Sequence, residues 1–84
     1  MYTLVFKLRA ESGLENLDTV IRSRVLAKLQ NLCDNCDERP HKALKGKHSG
    51  KFSLKIGHYR AIYTFSRRSR QVTVHEVGHR SKIY

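Results

Sequence analysis

KFSLKIGHYRAIYTFSRRSRQVTVHEV, residues 51–77, is the stretch on which the fold turns. Phe52, Leu54 and Ile56 alternate with Ser53 and Lys55, and Tyr59, Ala61, Tyr63 and Phe65 alternate with Arg60, Ile62 and Thr64. A third run, QVTVHEV at 71–77, is rich in valine. Alternation of period two in aromatic and branched residues marks strands with one buried face. Gly57–His58 and the polar SRRSRQ are short connections, which fit antiparallel hairpins. Side chains on a strand point to opposite faces. If Phe52, Leu54 and Ile56 face a core, Ser53, Lys55 and Arg60 share the other face.

Towards the N-terminus, YTLVF (2–6) reads as a further strand. The stretch KLRAESG followed by LENL fits a short helix, which Gly13 weakens by roughly 1 kcal/mol relative to Ala. Ile21, Val25, Leu29, Leu32 and Cys33 then recur at helical spacing, with Leu26 widening the stripe. Asp18 or Thr19 caps the start, and the helix ends at DNCDE, before Pro40. Two helices joined near Leu17–Asp18 form a hairpin. HKALKGKHSG, 41–50, reads as a basic loop. The order is strand, helix, helix, strand, strand, strand, with no repeat and no linker. The expected class is α+β: a small antiparallel sheet with the helical hairpin packed on one face, in a single domain spanning 1–84. Tyr59, Tyr63, Phe65 and Phe52 are expected in the core.

Charge divides the chain. Residues 1–40 hold six Lys or Arg and six acids, which cancel. Residues 41–84 hold eleven Lys or Arg against Glu76 alone, and all five histidines, so the net +10 resides there. Such a one-sided field attracts a polyanion, and a nucleic-acid backbone is the usual one. No run approaches about 18 apolar residues, no basic amphipathic helix stands out and the N-terminus lacks a signal-peptide pattern. A cytoplasmic protein with reduced Cys33 and Cys36 and no membrane partner is expected. Cys33 and Cys36 have C-x-x-C spacing, with His41 and His48 downstream. Because Cys33 also belongs to the helical stripe and no second Cys pair exists, no metal site is expected.

The tail GHRSKIY, emerging from the last strand, can carry His79, Arg80 and Tyr84 towards Lys55 and Arg60. Cleaving RNA through its own 2′-hydroxyl needs a base for the hydroxyl proton, cations for the crowded phosphate and an acid for the leaving 5′-oxygen. Arginine forks match phosphate oxygens. A lysine serves as base if neighbouring cations depress its pKa, histidine titrates near neutrality, and tyrosine donates a proton or stacks on a base.

Two segments carry a family resemblance. ALKGKHSGKFSLKIGHYRAIYTF (43–65) is similar to the RelE toxin pattern of a Leu–Lys–Gly turn, a strand of alternating basic and apolar residues, then Tyr–Arg–apolar–apolar–Tyr. VGHRSKIY (77–84) resembles the family's Val–Gly–His–Arg ending with a tyrosine after three more residues. The first half fits the family's opening strand and helical hairpin less specifically. The resemblance implies a toxin of a type II toxin–antitoxin pair that cuts messenger RNA in the ribosomal decoding site, with no metal and no cofactor. It also implies a cognate antitoxin wrapping the basic surface with an acidic segment.

Carried over, the resemblance makes Lys55, Arg60, Arg80 and Tyr84 catalytic, with Lys55 or a histidine such as His79 as the base. Ser53 stands where RelE members often carry a second lysine, and His58 is a further histidine candidate. Lys45, Lys47, Lys51, Ser53, His58, Arg67 and Arg68 are the expected RNA-binding set, with messenger RNA and ribosomal RNA as ligands. ParE-type toxins share the fold but poison DNA gyrase, which is the alternative activity. A relative that binds nucleic acid without cutting it is the third.

Overall fold

The computed structural model describes residues 1–83; Tyr84 lies outside the described residues. The order is β1 (Thr3–Phe6), α1 (Leu8–Glu15), α2 (Thr19–Asp34), β2 (Lys42–Ala43), β3 (Phe52–Ile56), β4 (Tyr59–Ser66), β5 (Gln71–His79) and α3 (Arg80–Ile83). A five-stranded sheet runs β1-β5-β4-β3-β2. The expected α+β class, hairpin packing and meander of β3, β4 and β5 are present.

Three features depart from the expectation. The sheet is mixed, because β1 lies parallel to β5 at one edge. The basic loop contributes β2, paired with β3, and a 3-10 turn at Gly46–His48. The tail folds into α3 instead of trailing away. None of these has a period to read: β2, the 3-10 turn and α3 each span about one repeat, too short to show a recurrence, and strand direction is set by the path of the helices.

Local chemistry explains the long elements. The Asp18 carboxylate accepts from Ile21 N–H at 3.0 Å and starts α2. Val25, Leu29, Leu32 and Cys33 are buried along it. Leu26 is 38% exposed instead of widening that stripe, since adjacent helical residues lie about 100° apart. Arg22 donates to the carbonyls of Leu14, Glu15 and Leu17 at 3.0, 3.2 and 3.0 Å, satisfying the C-terminal end of α1 and setting the hairpin angle. Gly57 opens the β3–β4 turn with φ +60°, the left-handed value that a two-residue hairpin asks of its first position.

Leu54, Ile56, Ala61, Tyr63, Val72, Val74 and Val77 form the sheet's side of the core, facing Ala10, Leu14 and the α2 stripe. Tyr63 lies in this core with Phe52 and Phe65 packed against it, as expected. Gly13 allows α1 to touch β5: a Cβ there would stand 2.1 Å from the Val77 carbonyl oxygen.

Candidate nucleic-acid interface

Opposite the helices, the strand registers gather the cations. Lys55 on β3 is the direct partner of Arg60 on β4, and Arg60 is the partner of Gly78 on β5. Lys55 is exposed and Arg60 half-buried. The Arg60 Nη1 donates to the carbonyls of Gly57 and Tyr59 at 2.9 and 2.8 Å, so its guanidinium is folded against the β3–β4 turn. Arg80, exposed, opens α3, and its backbone N–H donates to His58 O at 2.9 Å in that same turn. One end of the sheet thus holds Lys55, Arg60 and the root of Arg80. The tail's course is fixed by Ile83, buried over Gly78, where a Cβ would stand 3.3 Å from Ile83 Cδ1.

The histidines do not join this row. His79 is the register partner of Tyr59, and their rings meet edge-on at 5.4 Å, so His79 faces the helix side. Its Nδ1 lies 2.9 Å from Ser81 Oγ and accepts from Ser81 N–H at 3.2 Å. His58 stacks 6.3 Å from it. Strand parity puts His79, on which the turn residue His58 stacks, across the sheet from Lys55 and Arg60, which corrects the expectation that His79 comes close to them.

Further along the open face is a cavity of about 420 Å³. Lys7, Lys51 and His75 line it, together with Arg9, Glu76 and Lys82. Its origin is a register shift between Ile62 and Tyr63: Ile62 pairs with Glu76 but Tyr63 with Val74, leaving His75 as an extra residue on β5. Such a bulge re-aims side chains. His75 Nε2 meets Thr64 Oγ1 at 2.8 Å. Burial, reinforced by Lys51 and Lys7, pulls the His75 pKa below its ordinary value despite Glu76. Glu76, the one acid lining the cavity among the described residues, is held by Arg9 at 2.9 Å and lies 3.8 Å from His48 Nε2. That same His48 nitrogen meets the Ile83 carbonyl at 3.0 Å, so the 3-10 turn braces α3.

A description of the ParE toxin of type II toxin–antitoxin systems matches residues 4–84 of this chain. The chain belongs to the RelE/ParE toxin superfamily. Its fold is similar to a chain in the crystal structure of the toxin–antitoxin complex RelBE2 from Mycobacterium tuberculosis, with TM-score 0.80, 28% identity, and coverage of 93% of this chain and 96% of that one. The intact E. coli RelBE toxin–antitoxin complex gives TM-score 0.77 at 25% identity, covering 94% and 96%. The archaeal RelE–RelB complex from Pyrococcus horikoshii shares the fold at TM-score 0.76 and 18% identity, covering 96% and 97%. No curated protein is similar enough to count as a match.

In this toxin the remaining expected residues divide by location. Lys47 and Lys51 line the cavity, whereas Lys45 is exposed at the start of the 3-10 turn and does not. Ser53 sits on the open face between Lys42 and Ile62. Arg67 lies elsewhere: it pairs with Asp37 at 3.4 Å and covers the Phe65 ring at 5.1 Å, so the structure gives it a local partner in place of a free cation. Arg68 is exposed in the β4–β5 turn. Tyr84, expected as a catalytic residue, lies outside the described residues.

The cysteine–histidine set disperses. Cys33 and Cys36 are buried free thiols, each pushed up in pKa chiefly by burial. His41 faces the core, with Nδ1 2.6 Å from Tyr63 Oη and its ring stacked on Phe65. His48 is across the sheet. Among the described residues no three His, Cys, Asp or Glu gather to hold a metal, and no helix is long and apolar enough to cross a membrane.

Sequence reading missed Lys7, Arg9, His75, Glu76 and Lys82 as neighbours. Lys7 was recoverable, since it continues the parity of Thr3 and Val5. His75 was not, because a bulge leaves no mark in the alternation.

Proposed function

We propose that this toxin is a ribosome-dependent endoribonuclease that cuts messenger RNA by 2′-hydroxyl attack on the scissile phosphate and so blocks translation in the cytoplasm. The observation that carries the reading is the Lys55–Arg60 register pair on the face opposite the α1–α2 hairpin, with α3 holding the root of Arg80 beside the same turn. Cations from β3, β4 and α3 converging at one end of a sheet suit a phosphate that gains charge on the way to a five-coordinate transition state. Arg60 and Arg80 grip its oxygens. Lys55, on the same face, takes the 2′-proton, a role that His79 cannot fill from the opposite side. Tyr84, next in the chain after Ile83, supports the leaving 5′-oxygen. The reading uses no metal and no cofactor.

An antitoxin is the partner of this reading, since the M. tuberculosis and E. coli relatives are toxin–antitoxin complexes. An acidic antitoxin segment lying over the basic face would be drawn in by charge.

Primer extension on a translated message in cells expressing the toxin provides the test. Cuts at in-frame positions are expected, and Lys55→Ala, Arg60→Ala and Arg80→Ala should each slow cutting by about 10²–10³-fold, as for loss of one transition-state donor. Intact messages with gyrase-stabilised DNA breaks would support the second reading, which the ParE name of the matching family favours.

A further inference from the structure

The open face holds its cations in two places. One is the Lys55–Arg60 row. The other is the His75 cavity, which is concave, four of whose lining residues are lysines, and in which Glu76, the one acid among the described lining residues, is tied to Arg9. We propose that the His75 cavity is a second phosphodiester site, binding a phosphate of the same RNA strand whose scissile phosphate lies at Lys55 and Arg60. This rests on the nuclease reading for the identity of the strand, but not for the existence of the site.

Geometry favours a single strand of RNA. His75 is held by Thr64, which follows Arg60 on β4 by four residues, or roughly 13 Å at about 3.3 Å per strand residue. That span is too long for one phosphodiester unit and suits about two nucleotides of an extended strand. Ser53 and Lys55 alternate along β3 on this face, and Lys51, just before the strand, lines the cavity, so a polar track joins the two places. On the other flank, Ile83 packs over Gly78 and closes the direct route. The strand therefore follows β3.

The cavity is built to accept an anion. The bulge turns His75 out of the strand's regular alternation, and Thr64 Oγ1 fixes its ring through Nε2. Lys7, just after β1, and Lys51, just before β3, line the same cavity as the ring. A phosphodiester offers several acceptor oxygens to such a group, which ammonium and imidazole donors satisfy. An acidic polypeptide would bring carboxylates spaced by its own backbone and not by the distance between the two places.

The test uses fully 2′-deoxy oligonucleotides, which cannot be cut, and the whole toxin. Affinity should rise steeply between a dinucleotide, too short to span the face, and a tetranucleotide. Lys51→Ala and Thr64→Val should each flatten that step, with about tenfold weaker tetranucleotide binding and a clearly smaller loss for the dinucleotide, whose one phosphate can also sit at Lys55 and Arg60. Losing one phosphate contact also lowers the salt slope of tetranucleotide binding by about 0.7 in Lys51→Ala. Thr64→Val releases the His75 ring without removing a cation, so it separates a built site from loose attraction. Circular dichroism checks that each variant is folded.

Equal weakening at every length in Lys51→Ala, or an intact step in both variants, overturns the proposal. So does a His75 imidazole resonance that moves with oligoglutamate but not with the tetranucleotide, which would assign the cavity to an acidic polypeptide. A toxin that shows the step but cuts no message keeps this site and loses the nuclease reading. One that cuts without the step does the reverse.

Discussion

Arg60 stands near the start of β4 and Arg67 follows its end, and the two arginines meet opposite fates. At the far end, Asp37 draws in both Arg67 and Arg70 at 3.4 and 3.8 Å and accepts from the Tyr2 hydroxyl at 2.6 Å. Arg70 also lies over the Tyr2 ring at 5.8 Å. One carboxylate is shared by two guanidinium groups, and the cluster staples the N-terminus to the turn after α2 and to the β4–β5 turn. On the open face, Lys55, Arg60, Lys7 and Lys51 share one surface on which Glu76, already held by Arg9, is the acid lining the cavity. The lesson is that basic residues counted together in a sequence divide by where their counter-charges fall. Cations beside a carboxylate hold the fold together, and those gathered without one are left for a ligand.

Paired substitutions break this comparison most directly. Arg60→Ala should reduce message cutting by about 10²–10³-fold, while Arg67→Ala, which removes an exposed ion pair, should change it by less than about twofold. In vitro cleavage on programmed ribosomes measures both, and equal losses would erase the distinction.

Next in size is Gly13→Ala. Alanine ordinarily strengthens a helix interior, yet here its methyl would meet the Val77 carbonyl oxygen. A net loss of about 1–3 kcal/mol is expected, as for overpacking, because a backbone atom cannot step aside. Urea unfolding reads it, and a more stable variant would show that α1 does not depend on this contact.

The staple should show in the pH dependence of stability. Its hydrogen bond to Asp37, helped by burial, pushes the Tyr2 phenol up to about 12 from 10.0. Its contribution is full below pH 10.0 and is lost as pH rises through about 12. Burial raises Tyr63 to about 12 as well, so both tyrosines weaken the fold in the same alkaline window. The same hydrogen bond from Tyr2, with Arg70 and Arg67, holds Asp37 below 3.8, so its contribution is present above that value and is lost as pH falls below it. Melting temperatures of Tyr2→Phe across the pH range should show a smaller alkaline decline and a smaller acid decline than the wild type. Unchanged profiles would mean that Asp37 staples nothing.

The smallest expected effect sharpens the other side. The folded state disfavours charged His75, so its contribution to stability is full above pH 6.5 and is lost as pH falls from there through its lowered value. In Lys51→Ala the imidazole resonance should titrate closer to its ordinary value, because one neighbouring cation is gone. A titration that does not move would place Lys51 away from the ring.

Residues 52–65 carried a great deal on their own. Alternation assigned Phe52, Leu54, Ile56, Ala61 and Tyr63 to one face and Lys55 and Arg60 to the other, and β3 and β4 pair in the register that joins those two cations. The α2 stripe was equally plain, because burial on one side of a helix forces its period. His79 shows the limit. Its place beside Arg80 in the chain reads as shared purpose, yet one residue's step along a strand turns it to the opposite face.

The order of the long elements, the helical hairpin and the concentration of charge in the second half follow from side-chain chemistry repeated at a local period, so they could be read from the chain alone. Three features waited for the folded molecule: the parallel edge at β1, the bulge that exposes His75, and the capture of Arg67 by Asp37. Each depends on residues distant in sequence meeting in space, and such meetings are set by how the packed elements fit, which no short-range pattern encodes.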